Sequence, residues 1–528
     1  MKYFLTFLAG TIALGSCTTK DKDKNAETRP NIILIMADDV APEHFSCLGG
    51  VIPTPNIDRL AAEGMIFNRA YAPSAACTPS RYSIITGQYP GRCQADTFTG
   101  SISPGEPYKI AWNTPIIENN LTIHEILSDA GYFTGYVGKF HIGSLEFDRP
   151  EHNSDIPKIN PEADPNDPKT DSLLKVYQSV IENRVQQLTG CSFTASIQWE
   201  NPEQMPIKAI RHHNLEWLTE GVAEFLENID ETKPFYLHFN TTALHGPNHF
   251  YDLHEPARFT PEGILENPYK YHPPRNTIFQ RLIDLGRDTG VNVPDHIKHY
   301  DAGIIYLDDQ VGAIMKMIAE KGMKENTLVI LTADHAIEPG KSTCYERGLR
   351  VPFIVSWPAK IKSGSQTNEL VQFTDFLPTF TSIGGINLPD EAKIDGEDFS
   401  PLLFGNRSLE RQYIFSEEGY TRSVTGKKYK YIAMRFPGDV IENIENGDAG
   451  IITHFGDQFQ AHGLIASKYH EGYFDADQLY NLEDDPWEQK NLAYDPEYAE
   501  VLEEMKQKMN EFTSTFDYPF PLENDNFM

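Results

Sequence analysis

Two pairs of side chains that can bind a metal follow apolar runs of the sequence. Asp38 and Asp39 come just after the run at residues 31–36 (NIILIM), and Asp334 and His335 come directly after residues 327–333 (TLVILTA). Unbroken apolar runs are typical of strands buried on both faces of a parallel sheet, and ligands gather at the carboxyl ends of such strands. Oxygen donors favour Ca²⁺ or Mg²⁺ over zinc, so these residues predict a hard-cation site. The alternative is that they cap the helices that follow.

A cysteine-containing pentapeptide, residues 77–81 (CTPSR), is the second feature that could do chemistry. Pro79 and residues 82–86 predict a helix that begins here, whose first backbone N–H groups face Cys77 and favour an anion. Arg81 lies four positions after Cys77 and can return to the same site. A bare thiolate would be a reactive nucleophile there, but no histidine or other base lies near it in the sequence to activate it.

Short apolar runs and helical patterns alternate along the chain and must position these side chains. The alternation predicts an α/β sandwich with a largely parallel sheet. Strands are predicted over residues 31–36, 132–137, 234–239, 327–332 and 352–357, and helices over residues 57–63, 122–129, 215–228 and 308–320. Two stretches rich in Pro and Asn, residues 148–206 and 248–274, are predicted to be long loops, the first at the rim of a cleft.

A second structural unit is predicted after residue 405. Strand-like runs cover residues 411–416 and 428–434, and a helical pattern covers residues 496–512. We therefore expect residues 30–405 to form the main domain and residues 406–528 to form a smaller C-terminal subdomain.

The composition is that of a globular protein with a strongly acidic charge balance. The chain has 528 residues, 40% of them hydrophobic, and its 45 basic and 76 acidic side chains leave a net charge of −31. This excludes disorder, collagen and a coiled coil as the main state and argues against nucleic acid or an anionic lipid surface as a partner. An anionic substrate would require positive charge concentrated in one pocket. The six cysteines show no CxxC or zinc-type spacing.

The N-terminus has the pattern of an export signal. A short basic start precedes an apolar stretch at residues 3–15, and residues 14–17 (LGSC) resemble the bacterial lipoprotein cleavage box. We expect residues 1–16 to be a lipoprotein signal peptide and residues 17–29 to be a hydrated tether. The protein would then lie in the cell envelope, in the periplasm or on the outer-membrane surface, held to the membrane only through lipidated Cys17. A plain secretory signal is the alternative.

The pentapeptide at Cys77 resembles the signature of the type I sulfatase family, part of the alkaline-phosphatase-like superfamily. In that family the signature directs conversion of the cysteine to Cα-formylglycine. Each other matching piece is weak alone, but the set in family order is specific, from about residue 30 to 390 with a weaker tail to 492. The pieces are residues 31–39 (NIILIMADD), 54–64 (TPNIDRLAAEG), 86–87 (TG), 138–143 (GKFHIG), 244–247 (LHGP), 332–335 (TADH), 340–346 (GKSTCYE), 350–352 (RVP), 375–379 (DFLPT) and 479–492.

The resemblance implies a metal site. Asp38, Asp39, Asp334 and His335 would bind a divalent cation, usually Ca²⁺ with Mg²⁺ as the alternative, together with the modified residue 77. Many family members have Asn where His335 stands. An imidazole nitrogen is a less typical Ca²⁺ donor than an oxygen, so His335 is a departure from the family pattern.

The resemblance also implies a mechanism. The formylglycine aldehyde hydrates to a gem-diol, and the cation lowers the pKa of one hydroxyl so that it attacks the ester sulfur. Arg81, Lys139 and Lys341 would hold the sulfate oxygens. His245 would donate a proton to the leaving oxygen, with help from Lys341, and His141 would take the proton whose loss releases sulfate. A solvated strand edge, a loop histidine and a surface lysine are the structural alternatives for these residues.

Several further residues could contact a substrate, although each could instead serve only the structure. Arg347 stands where the family commonly has Gly. The remaining candidates are Trp112, Arg211, His212, His213 and His249.

These features predict an α/β fold with a large mixed, mostly parallel sheet sandwiched by helices, and a smaller C-terminal α+β subdomain with an antiparallel sheet. They predict a sulfatase that acts on sulfated saccharides after a formylglycine-generating maturation enzyme has modified Cys77. One alternative is a phosphate or phosphonate ester hydrolase of the same superfamily. The other is a glycan-binding lipoprotein without activity, in which Cys77 stays unmodified.

Overall fold

The structure of the chain is a computed structural model. It describes residues 29–144, 154–211, 213–245, 259–286, 300–337, 339–405, 408–447, 450–458, 461–518 and 520–522. The predicted signal peptide, Cys17 and almost all of the tether lie outside these residues, as do the predicted substrate contacts His212 and His249.

The strands of the described residues, in chain order, are β1 (Asn31–Ala37), β2 (Met65–Phe67), β3 (Ala70–Tyr71), β4 (Phe133–Lys139), β5 (Phe193–Gln198), β6 (Phe235–Asn240), β7 (Phe259–Thr260), β8 (Gly263–Ile264), β9 (Thr327–Ala333), β10 (Phe353–Ser356), β11 (Ser365–Thr367), β12 (Val371–Gln372), β13 (Tyr413–Glu418), β14 (Thr421–Gly426), β15 (Tyr429–Met434) and β16 (Asp477–Asn481). The α-helices are α1 (Pro55–Glu63), α2 (Cys77–Thr86), α3 (Asp96–Thr99), α4 (Ile123–Asp129), α5 (Pro168–Thr189), α6 (Asn214–Asn228), α7 (Arg275–Asp284), α8 (Tyr300–Glu320), α9 (Glu346–Leu349), α10 (Phe376–Ile383), α11 (Ser400–Leu403), α12 (Gly438–Glu445), α13 (Ala461–Ala466) and α14 (Ala499–Thr513).

An eight-stranded sheet in the order β11-β2-β10-β9-β1-β6-β4-β5 forms the centre of the molecule. Strands β9, β1, β6, β4 and β5 pair in parallel, and β11 pairs in parallel with β2. Strand β10 is antiparallel to both β9 and β2, so it runs against the other strands of this sheet. The predicted mixed, mostly parallel sheet is confirmed.

The middle of this sheet is covered on both faces. Every residue of β9 is buried, and β1 is buried after its first residue, Asn31. Helices α1, α4, α5 and α6 pack against strands of the sheet, and α8 packs against α1 and α6. Burial on both faces is the physical reason for the unbroken apolar runs of β1 and β9.

Strands β13, β14, β15 and β16 form a second, antiparallel sheet. Helix α14 packs against it and buries Met505 and Met509. The predicted C-terminal antiparallel unit is therefore confirmed, while the boundary at residue 405 stays a prediction.

The predicted strands correspond to β1, β4, β6, β9 and β10, and the predicted helices correspond to α1, α4, α6 and the C-terminal part of the longer α8. The predicted C-terminal strands and helix correspond to β13, β15 and α14. The helix predicted at residues 77–81 is confirmed as α2, which starts at Cys77 and so places residue 77 in its first turn.

The prediction that residues 148–206 are long loops is wrong. This stretch contains helix α5, with Asp167 as its N-cap and Pro168 in its first turn, and the edge strand β5. Leu174, Ile181 and Val185 are buried along one side of α5 at helical spacing. The helix was missed because the prediction rested on the composition of the stretch, in which many polar residues separate these apolar ones. Of residues 248–274, the described part from 259 includes the short antiparallel pair β7 and β8.

Five cysteines lie in the described residues, and all are free: Cys47, Cys77, Cys93, Cys191 and Cys344. Among the described helices, none combines the length and apolar character that crossing a membrane demands.

Gly138 provides a test of how tightly β4 is packed where it approaches Lys139. Its φ is 96°, and a Cβ at this position would lie 1.9 Å from the carbonyl oxygen of Asn240 on β6. We predict that Gly138→Ala lowers the free energy of unfolding by about 3 kcal/mol or more, because the two strands must separate. Urea denaturation measures the loss.

The matched control is Gly131→Ala. Gly131 has a φ of 90°, and nothing lies within 4 Å of the Cβ position. This variant carries only the cost of the left-handed backbone, about 1–2 kcal/mol. Equal losses in the two variants would contradict the steric explanation.

Candidate active site

The register of β1 and β9 brings the four predicted metal ligands together. Ala37 is paired with Ala333, so the residues that follow both strands leave the sheet at the same edge. The backbone N–H of Asp39 donates to Oδ1 of Asp334 at 3.2 Å. Asp39 has a φ of 60°, a left-handed conformation that is uncommon for a residue other than Gly and clusters at functional sites.

Cys77 lies in the first turn of α2, and every residue of this helix is buried. Its Sγ atom is 3.4 Å from Nε2 of His335, 3.6 Å from Nζ of Lys139 and 3.8 Å from Oδ1 of Asp38. The Ser80 hydroxyl, one turn further on, donates to the carbonyl oxygen of Asp334. Helix α2 is thus fastened to the end of β9, which fixes residue 77 over the edge of the sheet.

Each buried carboxylate of the site has a cationic partner. Nζ of Lys139 lies 2.6 Å from Oδ2 of Asp38. Nζ of Lys341 lies 2.6 Å from Oδ1 of Asp39. The Arg81 guanidinium lies 3.0 Å from Oδ2 of Asp334 and also reaches Asp38 at 3.8 Å. Three cationic side chains therefore converge on this site, in a chain whose net charge is −31, and three carboxylates balance their charge.

Three histidines surround the same carboxylates. Nδ1 of His335 lies 2.8 Å from the carbonyl oxygen of Ala336 and donates a hydrogen bond to it, which leaves Nε2 facing Sγ of Cys77. Nε2 of His245 lies 4.0 Å from Oδ2 of Asp39. His141 is held through its carbonyl oxygen, which accepts a hydrogen bond from Thr78 at 2.8 Å.

The electrostatics of the site follow from burial and from these charge pairs. Burial by itself raises the pKa of Asp38, but the positive charges around it, Lys139 first and then His245, Arg81 and Lys341, outweigh burial and hold that pKa well below its usual value. Burial and then Lys139 lower the pKa of His245 to about 4. The pKa of His141 is also lowered, by burial first and by Lys139 second. Both imidazoles are neutral at neutral pH in this state.

The donor set fits a divalent cation. Ligand atoms of Asp38, Asp39 and Asp334 lie within 4.8 Å of one another, as do those of Cys77, Asp334 and His335. Carboxylate oxygens are the donors that Ca²⁺ and Mg²⁺ prefer, and Nε2 of His335, which faces Cys77, could add a nitrogen ligand. These residues could therefore hold a cation beside residue 77.

The structure places the described substrate-contact candidates against partners of their own. The Arg347 guanidinium lies over the ring of Trp487, 4.2 Å from its centroid. Nδ1 of buried His213 lies 3.4 Å from Oε1 of Glu216. The remaining pairs are Trp112 stacked on Phe455 and Arg211 donating to the Met205 carbonyl oxygen. A substrate role for these residues stays a prediction.

Three residues of the site were absent from the sequence-based prediction. Oδ1 of Asn240, at the end of β6, accepts from Arg81 at 3.0 Å. Asn201 accepts from Lys139 at 2.9 Å, and Oε1 of Glu200 lies 4.0 Å from Nε2 of His141. Asn240 could have been found from the sequence in the same way as Asp38, because it is a polar residue that follows an apolar run. Glu200 and Asn201 follow β5, the strand that was mistaken for a loop.

Comparison with known proteins identifies the family. The profile of the Sulfatase family matches residues 30–386, which include all of the clustered residues described above. The chain belongs to the sulfatase family. Its members hydrolyse sulfuric esters, and this chain is an enzyme of that class. A second profile, described as N-sulphoglucosamine sulphohydrolase, C-terminal, matches residues 340–442.

Relatives of this sulfatase span nearly its whole length. An N-acetylgalactosamine-6-O-sulfatase from Bacteroides thetaiotaomicron is 27% identical, over 95% of this chain and 97% of the relative. An ulvan-active sulfatase from Formosa agariphila is 27% identical over 93% and 81%. Human arylsulfatase A is 28% identical over 90% and 86%.

Solved structures share the fold. One, described as part of glycosaminoglycan metabolism by Bacteroides thetaiotaomicron, has a TM-score of 0.63 at 21% identity and covers 92% of this chain and 99% of its own. Another, solved with its substrate D-glucosamine-2-N,6-O-disulfate, has a TM-score of 0.59 at 18% identity and covers 94% and 100%. The central sheet and the C-terminal sheet are therefore those of sulfatases.

The Lys139–Asp38 pair generates a stability prediction. Both side chains are fully buried, so Lys139→Met leaves Asp38 without its nearest cation. In buffer that contains a chelator, we expect the free energy of unfolding to fall by about 3–5 kcal/mol, measured by urea denaturation.

Lys175→Met is the matched control, because Lys175 pairs with Asp171 at 2.9 Å on the exposed surface of α5. That variant should change stability by less than about 1 kcal/mol. Similar losses of unfolding free energy in both variants would contradict the explanation that the Lys139–Asp38 pair stabilises the fold more because it is buried.

Proposed function

We propose that this sulfatase hydrolyses sulfate esters of saccharides, with Cα-formylglycine formed from Cys77 as its reactive group and Ca²⁺ as its metal. The proposal rests on the surroundings of Cys77. Its Sγ lies 3.4 Å from Nε2 of His335 and 3.6 Å from Nζ of Lys139, beside three carboxylates. The saccharide substrate is supported by the relatives named as N-acetylgalactosamine-6-O-sulfatase and ulvan-active sulfatase.

The state of the unmodified cysteine supports the conversion. Burial raises the pKa of the Cys77 thiol well above its usual value, and Asp334 and Asp38 add to the rise against the opposing effect of Lys139. The thiol is therefore protonated at neutral pH and is a poor nucleophile. A maturation enzyme that generates formylglycine is thus the partner that we propose for this chain, acting at Cys77.

The cationic side chains are suited to hold a sulfate group. When bound, a divalent cation and formylglycine would supply a Lewis acid and a hydrated aldehyde as the nucleophile. Arg81, Lys139 and Lys341 converge from α2, the end of β4 and the segment after β9, so their charges can meet sulfate oxygens from different sides. Asn201 and Asn240 orient Lys139 and Arg81 for this task.

The two flanking histidines are suited to move protons. We assign His245 as the donor to the leaving oxygen of the saccharide, assisted by Lys341. The negative charge of a bound sulfate ester raises the pKa of His245 from its low value and so favours its protonated form. We assign His141 as the base for release of sulfate, because its lowered pKa keeps the imidazole neutral and able to accept a proton.

The cellular location is a further part of the proposal. Residues 14–17 (LGSC) support a lipoprotein that is exported and anchored through Cys17 at the periplasmic or outer surface of the envelope.

Replacing Cys77 tests the proposed nucleophile. We predict that Cys77→Ala lowers turnover of the best sulfated saccharide by about 10⁴-fold or more while the fold is retained, because the reactive group is removed. Circular dichroism checks the fold, and sulfate release checks turnover. Mass spectrometry of the peptide that spans residues 70–92 should find the aldehyde in protein from the native host. A fully retained thiol in active enzyme would contradict the proposal.

Removing the cation tests the metal. Lys139 and Lys341 pair with Asp38 and Asp39, which are proposed metal ligands, so a bound cation would compete with both ammonium groups for these carboxylates and leave them available to sulfate. We predict that a chelator abolishes turnover and that Ca²⁺ restores it. At 100 times its dissociation constant, Ca²⁺ should also stabilise the fold by about 2.7 kcal/mol. Thermal unfolding of the Cys77→Ala variant measures this without activity. Full activity in verified metal-free enzyme would exclude the assignment.

The substrate class is tested with defined esters. Native-matured enzyme is incubated with sulfated mono- and disaccharides that differ in sugar and in sulfate position, and released sulfate is measured. We expect turnover of at least one saccharide sulfate, and an aryl sulfate and an aryl phosphate serve as comparison substrates. Faster hydrolysis of the phosphate than of any sulfate would favour the phosphate-hydrolase alternative.

A further inference from the structure

The segment that carries Lys341 (residues 339–349, the Lys341 segment) is a compact loop. The backbone of Gly340 lies against that of Gly348, since a Cβ on Gly340 would be 2.2 Å from the Gly348 nitrogen. Thr343 donates from its hydroxyl to the Gly340 carbonyl oxygen at 2.5 Å. Because the two ends of the loop are in backbone contact, we expect a displacement at one end to move the other end as well.

One side of the Lys341 segment faces the active site. The ammonium of Lys341 contacts both oxygens of Asp39 at 2.6 and 2.8 Å. The neighbouring Ser342 has a left-handed φ of 63°, and its N–H donates to the carbonyl oxygen of Ala75, two residues before Cys77.

The other side is held by the C-terminal sheet through a buried charge network. Nζ of Lys430, on β15, lies 3.1 Å from Oε1 of Glu346 and 2.9 Å from Oε1 of Glu488. Glu488 in turn accepts the backbone N–H of Glu346 at 2.7 Å. The side chains of Lys430 and Glu488 are fully buried, and Tyr71 donates to the remaining oxygen of Glu346 at 3.0 Å.

Tyr345 adds a second connection between the segment and this sheet. Its ring stacks on His470 at 3.6 Å between centroids with an interplanar angle of 2°. Its hydroxyl donates to Gln478 of β16 at 2.7 Å. The segment is therefore held at Tyr345 and Glu346, four and five residues after Lys341, by groups from β15, from β16 and from the chain on either side of β16.

We propose that Lys430 is a positioning residue of the sulfatase reaction, which acts through Glu346 to hold Lys341 at the substrate sulfate. The C-terminal sheet would thus be part of the catalytic apparatus. This inference rests on the proposed function, in which Lys341 contacts the sulfate group. Coupling through a rigid loop is the physical basis, because an ammonium displaced by about 1 Å loses much of its effect on a transition state.

A double-mutant cycle tests the inference with sulfate release from the best saccharide sulfate as the assay. The variants are Lys341→Ala, Lys430→Met and the double variant, each measured for kcat and KM. We expect Lys341→Ala to lower kcat by about 100-fold, as removal of an electrostatic stabiliser does. Lys430→Met should lower kcat by about tenfold or more with a smaller change in KM, and the double variant should be no slower than Lys341→Ala alone. Lys430→Arg keeps the charge and should recover most of the loss.

Arg435→Met is the matched control, at the residue that directly follows β15. Arg435 is buried and pairs with Asp477 at 2.7 Å, away from the Lys341 segment. It should lower the melting temperature and leave kcat of the folded enzyme unchanged. If Lys430→Met does not fold, Glu346→Gln replaces it in the cycle, since it removes the charge through which Lys430 acts and keeps the size of the side chain.

The outcomes separate the inference from the function on which it rests. An unchanged kcat for Lys341→Ala would remove both the sulfate contact and the positioning role. If Lys341→Ala lowers kcat as expected but the fall in kcat of the double variant is the product of the two single falls, the positioning role alone is overturned. A loss of thermal stability in Lys430→Met without a fall in kcat would also overturn it, because that is the result of a purely structural ion pair.

Discussion

Buried negative charge is the constraint on which the rest of this structure depends. Asp38, Asp39 and Asp334 lie at one edge of the central sheet, almost without solvent contact. Charges removed from water are costly unless they are paired, and each of these carboxylates has a cation within 3.0 Å. The same cations are those that we propose hold the sulfate ester. Pairing that stabilises the fold therefore also assembles the chemistry of the site.

Three parts of the chain that are far apart in sequence supply the cations that pair with these carboxylates. Helix α2 supplies Arg81, the end of β4 supplies Lys139, and the loop after β9 supplies Lys341. Left-handed backbone at Asp39, His141, Leu244 and Ser342 shows that the loops are bent to reach the site. Such strained residues persist only where the surroundings hold them, and here the buried ion pairs and the C-terminal sheet do so.

Sequence reasoning located the centre of the site but not its supports. Asp38 and Asp334 could be found because each follows an apolar run, and Cys77 and Arg81 because they stand in one short motif. Glu200 and Asn201 escaped notice because β5 alternates polar and apolar residues at the sheet edge and does not form an apolar run. The role of Glu346 could not be foreseen either, since its partners Lys430 and Glu488 are separated from it by 84 and 142 positions.

The sequence by itself determined the parallel core strands, the start of α2 near Cys77 and the residue types of the site, because apolar runs, helix starts and short motifs are local signals. Tertiary structure alone decided which cation pairs with which carboxylate. It also decided which nitrogen of His335 faces Cys77 and that the C-terminal sheet grips the Lys341 segment. These depend on strand order and packing, which bring together atoms that no spacing along the chain connects.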